Sequence, residues 1–419
     1  MNRRMVLGAW ASVSLFLGCK HEAGTGAASH AAHAKATLPS SADRCASAPA
    51  PVCPGSAPEG GGLLAVDRCA FPMQEKAATS PALLAAIEAI APRVSIEDLV
   101  ADGDRSATST SAIPGNPRGP SFAFRWAAED DNSTRWTPQG ITGSPDATAT
   151  GVIGAKRIVA VSWYDKPPPD SYGKGVRIAF VDTTEPAPTY RFAMLAVPTG
   201  SAAAPNFSPL KVHAGGIAWY GDFIYVADTS KGFRVFDTKH IVRVATDIDE
   251  FGCSAGTCRA GADKYAMLQV GAYVTESACA QIFSSISVDR ASSPPALVSS
   301  EYCSDHACTG PLAGRIYRWP LDPATGRLGA GRSWPSEAYL MGQRQVQGGA
   351  SKENVYYLSS SAPPGAAGAL YRVTTETSAT SAWIDSPEDL MLDAKNDLLY
   401  SLSEGRGKRI VFAALLEAP

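Results

Sequence analysis

One four-strand unit recurs along this chain, and the recurrence constrains the fold more than any other feature. Each copy begins with a short polar or glycine-rich step into an apolar residue, followed by a strand, a turn and another strand. The five beginnings are residues 138–141 (PQGI), 214–217 (AGGI), 283–286 (FSSI), 347–350 (QGGA) and 387–390 (PEDL). A four-stranded unit repeated every 40 to 75 residues or so is typical of a β-propeller. We therefore predict an all-β fold, a β-propeller over residues 119–419.

The remaining strands of each unit follow from apolar alternation bounded by turn residues. The second strands are predicted at 157–163, 223–227, 296–301, 355–359 and 398–403. The third strands are predicted at 176–182, 233–237, 315–319, 369–373 and 409–413. Fourth strands are predicted at 190–197, 265–274, 337–341 and 381–384, so the last unit lacks one.

A strand-like run at residues 121–126 lies just before the first unit and belongs to none of them. We predict that it supplies the missing fourth strand of the last unit. Such a closed ring leaves no long unpaired edge. The prediction is five blades. Six blades are the alternative, because residues 239–279 are numerous enough to contain additional strands.

The N-terminus resembles that of bacterial lipoproteins. A basic start is followed by an apolar stretch at 5–17, which is too short to span a hydrocarbon core of about 30 Å. It ends in LFLGC at 15–19, so the resemblance implies a lipoprotein-type signal peptide at 1–19, with cleavage before Cys19 and lipidation of Cys19. An ordinary secretory signal is the alternative. Residues 20–44 contain almost no large apolar side chain and predict a flexible tether. Both interpretations predict an exported protein of the cell envelope or the medium.

Cysteine usage agrees with export. Eight cysteines remain besides Cys19, and an even number in an oxidising compartment predicts a disulfide framework. The spacing suggests two short loops, Cys253 with Cys258 and Cys303 with Cys308. The other four would pair among themselves and tie the N-terminal segment to the body: Cys45, Cys53, Cys69 and Cys279. Zinc binding is the alternative, although paired C-x-x-C spacing is missing.

Residues 45–118 contain the helical signals of the chain. Ser80 and Pro81 are typical of a helix start, and one helical face carries Leu83, Leu84, Ile87 and Ile90. A second amphipathic turn is predicted at 95–100. We expect this segment to form a small helical, disulfide-tied cap on the propeller.

Two stretches resemble repeats of known bacterial propellers. Residues 175–182 (GVRIAFVD) resemble LVIVD-type repeats, and residues 225–237 (YVADTSKGFRVFD) resemble the same repeat or its NHL-type relatives. Together with residues 136–141, 161–166 and 213–219, they resemble secreted propeller proteins of actinobacteria and myxobacteria. The resemblance implies the propeller fold and names no substrate.

A site is expected where the loops that lead into the innermost strands meet around the central channel. The residues at these positions are Gln139, His213, Ser284, Gln347 and Glu388. Glu388 follows a proline and precedes Asp389, so these two carboxylates are the candidate ligands for Ca²⁺. Hydrogen bonding of the polar side chains to nearby backbone is the alternative.

Loops on the same face carry aromatic residues. Trp163, Tyr164 and Asp165 precede Lys166 and three prolines, and the loop from Cys303 to Cys308 contains Asp305 and His306. Aromatic side chains on stiffened loops suit a recognition surface, and covering the core is the alternative. An acidic run at 129–132 is a further candidate for Ca²⁺, with a solvated turn as its alternative.

Composition narrows the function. The net charge of −3 gives no electrostatic reason to expect nucleic acid. No H-E-x-x-H or phosphate-loop motif occurs, and the one match to G-x-S-x-G, residues 252–256 (GCSAG), overlaps the short Cys253–Cys258 loop. We predict a cell-surface or secreted binding protein for a protein, glycan or envelope component. The alternative is a calcium-dependent hydrolase of the lactonase type, with a metal in the channel.

Overall fold

The repeated units fold as antiparallel β-sheets in a computed structural model that describes residues 45–46, 52–53, 60–113, 120–166, 173–303, 314–362 and 367–416. In chain order the strands are β1 (Leu64–Ala65), β2 (Met73–Glu75), β3 (Arg93–Val94), β4 (Arg105–Ser106), β5 (Thr108–Ser109), β6 (Pro120–Arg125), β7 (Trp136–Gly143), β8 (Ile158–Asp165), β9 (Val176–Asp182), β10 (Thr189–Ser201), β11 (Ala204–Pro209), β12 (Ile217–Tyr220), β13 (Phe223–Asp228), β14 (Gly232–Arg243), β15 (Phe251–Ser254), β16 (Thr257–Ala260), β17 (Tyr265–Thr275), β18 (Phe283–Asp289), β19 (Ala296–Glu301), β20 (Arg315–Pro320), β21 (Arg332–Ser333), β22 (Glu337–Leu340), β23 (Val346–Lys352), β24 (Val355–Ser360), β25 (Ala369–Val373), β26 (Ser378–Ala382), β27 (Pro387–Asp393), β28 (Leu398–Ser403) and β29 (Ile410–Leu415). The α-helices are α1 (Pro81–Ile90), α2 (Ile96–Ala101), α3 (Ala128–Asp131) and α4 (Ser144–Ala147), and Arg68–Ala70 forms a 3-10 turn.

The strands group into five four-stranded units around an axis. Their orders are β7-β8-β9-β10, β12-β13-β14-β17, β18-β19-β20-β22, β23-β24-β25-β26 and β27-β28-β29-β6. The innermost strands contact one another in the cycle β7, β12, β18, β23, β27 and back to β7. Radial sheets whose first strands surround a common axis define a β-propeller, as the repeats predict.

The strand before the first repeat closes the ring. Strand β6 runs antiparallel to β29, with Val411 opposite Phe124 and Phe412 opposite Ala123. The prediction that residues 121–126 complete the last unit is confirmed. The long stretch at 239–279 holds the end of β14, the hairpin β15-β16 and strand β17. It therefore adds no further four-stranded unit among the described residues.

The N-terminal segment departs from the expected cap. Both predicted helices are present: α1 buries Leu83, Leu84 and Ile87, and α2 begins with a capping box at Ser95. Five short strands of the same segment pair with strands of the propeller: β1 pairs with β22, β2 with β17, β3 with β14, β4 with β10 and β5 with β6. The segment thus also extends the sheets at their rim. Strands of two or three residues are too short to produce a readable alternation, so the sequence did not reveal them.

Disulfides fasten this segment to the propeller. Cys45 bonds Cys69, and Cys53 bonds Cys279 at the end of the second unit. Both the short Cys253–Cys258 loop and the pairing of the other four cysteines are therefore confirmed. Cys303 is also disulfide-bonded, while Cys19 and Cys308 lie outside the described residues. Within the described ranges, no helix is long and apolar enough to cross a membrane.

Glycines bring the innermost strands together at a narrow waist. A Cβ on Gly140 would lie 2.6 Å from the amide nitrogen of Ile217, and one on Gly216 would lie 2.2 Å from that of Ile286. The ladder that joins β7 to β8 shifts register at the same level, as it does for three other innermost strands. Backbone contact at the axis explains the glycines at the start of the first, second and fourth repeats.

Candidate ligand site at the channel mouth

Glu388 lies at the bulged start of β27, above the waist, and only 2% of it is exposed. No hydrogen bond reaches its carboxyl from the residues that the structure describes. Burial raises the pKa of this carboxyl well above its ordinary value, and the charges of Glu404 and Asp389 add to the increase. The surroundings of Glu388 therefore favour the protonated form of its carboxyl.

Three further polar groups surround the same position. Gln139 donates from Nε2 to the Pro138 carbonyl, at 2.9 Å, and to Oε2 of Glu404, at 3.1 Å. The Lys166 ammonium lies 3.7 Å from the same Glu404 oxygen, and its charge lowers the pKa of Glu388. The arrangement joins the first unit to the fifth through Glu404. We call Gln139, Lys166, Glu388 and Glu404 the mouth cluster.

Two members of the mouth cluster, Glu404 and Lys166, were missed as site residues. Each directly follows the second strand of its unit, β28 and β8 respectively. Loops that follow second strands lie on the same face as those leading into first strands. Their position in the repeat could therefore have identified Glu404 and Lys166 as site residues from the sequence.

His213 lies beside the cluster in the segment that leads into β12. Its ring packs edge-on against Tyr164, with 4.6 Å between the ring centroids. Burial, aided by the charge of Lys166, lowers the pKa of His213 to about 4, so the ring is neutral at pH 7. It can accept or donate a hydrogen bond but supplies no charge.

Two other predicted site residues, Ser284 and Gln347, make no hydrogen bond to the mouth cluster among the described residues. Ser284 donates to the carbonyls of Ser300 and Val346 at 3.1 and 3.0 Å, which matches the alternative of backbone hydrogen bonding. Gln347 is half-buried within β23.

Asp389 is fully buried at the waist and is tied to backbone. Its Oδ2 accepts from the amides of Ile141 and Ile217, at 3.2 and 3.3 Å, so the fifth unit is pinned to the first and second. Its Oδ1 has no partner among the described groups, and burial raises its pKa well above the ordinary value. The carboxyl therefore acts as a link between innermost strands.

The two predicted calcium ligands lie in different surroundings. Backbone amides engage Oδ2 of Asp389, while Glu388 lies in the mouth. No group of three or more His, Cys, Asp or Glu side chains that could hold a metal ion occurs in the described part of the chain. Ligation of Ca²⁺ by Glu388 and Asp389 stays a prediction.

The predicted aromatic loop belongs to the core. Trp163, Tyr164 and Asp165 all lie within β8, which is longer than predicted, and all are buried. The Trp163 ring packs edge-on against Trp126 at 4.9 Å, and Asp165 is ion-paired with Arg135 at 2.8 Å. Their placement in an exposed loop is wrong, and ligand binding by these residues stays a prediction. Asp305, His306 and the prolines after Lys166 lie outside the described residues.

The acidic run at 129–132 is neutralised by basic side chains. Asp130 contacts Arg105 at 2.6 Å, Arg177 at 3.2 Å and the Tyr190 hydroxyl at 2.6 Å. Asp131 pairs with Arg125 at 2.8 Å. These ion pairs give the run a structural role in place of the calcium site considered from the sequence.

Comparisons with known proteins add little. No protein-family model matches the chain, and no curated protein matches it. Among solved structures, the chain is similar to a GH43_1 enzyme from Xanthomonas citri that was crystallised in complex with xylotriose. The identity is 10%, and the match covers 81% of this chain and 94% of that one. With a TM-score of 0.28, this similarity carries no argument about function.

Proposed function

We propose that this protein is an exported β-propeller that binds a neutral, hydroxyl-rich ligand, a glycan of the cell envelope, at the mouth of its central channel. The main evidence for this proposal is the Glu388 carboxyl, which is buried at the mouth without a hydrogen-bond partner among the described residues. A ligand hydroxyl would supply the hydrogen bond that this carboxyl lacks, because a carboxyl accepts when ionised and both donates and accepts when protonated.

The neighbours of Glu388 favour the same ligand class. Gln139, Glu404 and Lys166 present amide, carboxylate and ammonium groups within one cluster. Such a mixed set of donors and acceptors is suited to several hydroxyls at once. The contact between Gly140 and the second unit narrows the channel directly below, so a ligand would enter from the mouth.

Export and anchoring form part of the proposal. Disulfides form and persist in oxidising compartments, and three are present in the described residues. We infer a signal at residues 1–19, lipidation at Cys19, a tether at 20–44, an N-terminal segment at 45–118 and a five-bladed propeller at 119–419. Kinship with LVIVD-type secreted propellers belongs to the same proposal.

A hydrolase is the second candidate, and one observation favours it. Glu388 and Glu404 interact electrostatically, yet Glu388 is buried while the Glu404 side chain is 31% exposed. Two carboxyls in unlike surroundings are the arrangement that supplies an acid and a base. The calcium-dependent form of this hypothesis has no three-ligand group among the described residues to support it.

A glycan array of bacterial envelope polysaccharides and peptidoglycan fragments tests the proposal. Wild-type protein should bind at least one glycan, and Glu388→Ala should lose that signal. Arg243→Met, at an exposed position on β14, is the control and should keep it. No binding to any glycan, or equal binding by Glu388→Ala, would contradict the proposal. Release of new reducing ends from a bound glycan would favour the hydrolase instead.

A further inference from the structure

A cavity of about 140 Å³ lies between the fourth and fifth units, away from the mouth cluster. The fourth unit contributes Tyr357, Leu370, Arg372 and Trp383, and the fifth contributes Leu399 and Leu415. A cavity of similar volume in another protein accepts benzene, so this one is large enough for a small ring or a short alkyl chain.

Strand register explains how these side chains come together. Leu370 and Arg372 are two residues apart on β25 and therefore share a face of the sheet. Arg372 lies opposite Ala379 of β26 and Tyr357 of β24. The small Ala379 side chain leaves space beside the arginine, on the face that packs against the fifth unit.

Arg372 has no acidic partner in this cavity. None of the residues that line it is Asp or Glu, and no ion pair or side-chain hydrogen bond of Arg372 is found among the described residues. Its Nε is buried and unpaired. A guanidinium is a strong, planar donor to carboxylates, so the site is complementary to an anion.

Trp383 supplies a second unpaired donor. The residue is 2% exposed, and its ring packs against Phe412 with 5.1 Å between the centroids. Its indole Nε1 is buried without a partner among the described groups. Two donors that lack acceptors therefore line one cavity.

The rest of the cavity is apolar. Leu370 and Leu399 line it from opposite units, and Leu415, which is 58% exposed, lies at its rim. We propose that this cavity binds a small apolar carboxylic acid. The carboxylate accepts from the Arg372 guanidinium and from Nε1 of Trp383, and the apolar part packs between Leu370 and Leu399. This proposal is independent of the glycan site.

Calorimetric titration of the intact, disulfide-bonded protein with benzoate and with hexanoate tests the proposal, and benzamide serves as the neutral control. One of the acids should bind with saturation, and benzamide should bind at least about tenfold more weakly than benzoate if benzoate is the acid that binds. Arg372→Met should weaken acid binding by roughly 10- to 100-fold, because a hydrogen-bonded ion pair is lost. Trp383→Phe should weaken it less, and Arg243→Met should leave it unchanged.

Three results would overturn the proposal: no saturation by either acid, equal affinity for benzoate and benzamide, or unchanged acid binding by Arg372→Met. A melting curve separates binding from folding. Because Arg372 has no partner to lose, Arg372→Met should melt at the wild-type temperature or above it. A clearly lower melting temperature would mean that Arg372 serves the fold, which also overturns the proposal.

Discussion

Replacing Glu388 by glutamine should change how the stability of this protein depends on pH. In the folded state, burial beside Glu404 and Asp389 raises the pKa of Glu388 well above its ordinary value of 4.5. In the unfolded chain the carboxyl returns to water and to that ordinary value. Between the two pKa values the folded state holds a proton that the unfolded state has released. The free energy of unfolding of the wild type therefore falls as the pH rises through this window.

The magnitude follows from the linkage of one proton. A single proton of difference changes the free energy of unfolding by between 1 and 2 kcal/mol per pH unit. From pH 5 to pH 7, this group should lower the free energy of unfolding of the wild type by at most about 3 kcal/mol, the limit for one proton over two pH units. Glutamine does not titrate, so Glu388→Gln should gain stability relative to the wild type as the pH rises, up to that limit. Asp146, whose pKa burial also raises, contributes to both proteins alike.

Urea unfolding at pH 5, 6 and 7, followed by tryptophan fluorescence, measures the difference. Glu376→Gln is a matched control, because Glu376 is fully exposed and hydrogen bonds from Thr375 and Thr374 lower its pKa. Its removal should produce no gain with rising pH. If the stabilities of wild type and Glu388→Gln change in parallel from pH 5 to 7, Glu388 is ionised in the folded protein. That result would contradict the raised pKa of its carboxyl.

Two further predictions concern the scaffold. Removing the Cys53–Cys279 disulfide by double alanine substitution should cost more stability than removing Cys253–Cys258, since the loops span 226 and 5 residues. The chain-entropy relation gives about 5 against about 2 kcal/mol, and denaturant titration of the two variants checks the order; equal losses would contradict it. Gly216→Ala should destabilise the protein by about 2 kcal/mol or more, because the new Cβ would collide with backbone of the third unit. A melting temperature within about one degree of wild type would show that the innermost strands can accommodate a Cβ at position 216.

Much of the propeller was predictable because its strands are long enough to show apolar alternation and recur in the same order in each unit. Strands β9, β19, β25 and β28 have the predicted bounds, and the closure by β6 followed from counting strands in the last unit. The rim strands β1 to β5 escaped prediction, since two or three residues carry no period. The hairpin β15-β16 was likewise missed inside a long stretch between assigned strands.

The site was predicted only in part, for a different reason. Position in the repeat correctly places Gln139 and Glu388 at the mouth, because the innermost strands all start there. The roles of Tyr164 and Asp165 depend on where β8 ends, and a two-residue extension moves both from a loop into buried positions. The difference between Glu388 and Asp389 is set by contacts with other units, which the local sequence does not encode.

The proposed glycan site at Glu388 is tested by the affinity for the strongest array glycan, compared among wild type, Glu388→Gln and Glu388→Ala at pH 7. Glutamine keeps a neutral donor and acceptor, so Glu388→Gln should bind within about threefold of wild type. Glu388→Ala should lose tenfold or so, because the hydrogen bonds vanish. Equal losses in both variants would mean that the site needs a charge or a transferable proton. Wild-type affinity in Glu388→Ala would place the ligand elsewhere.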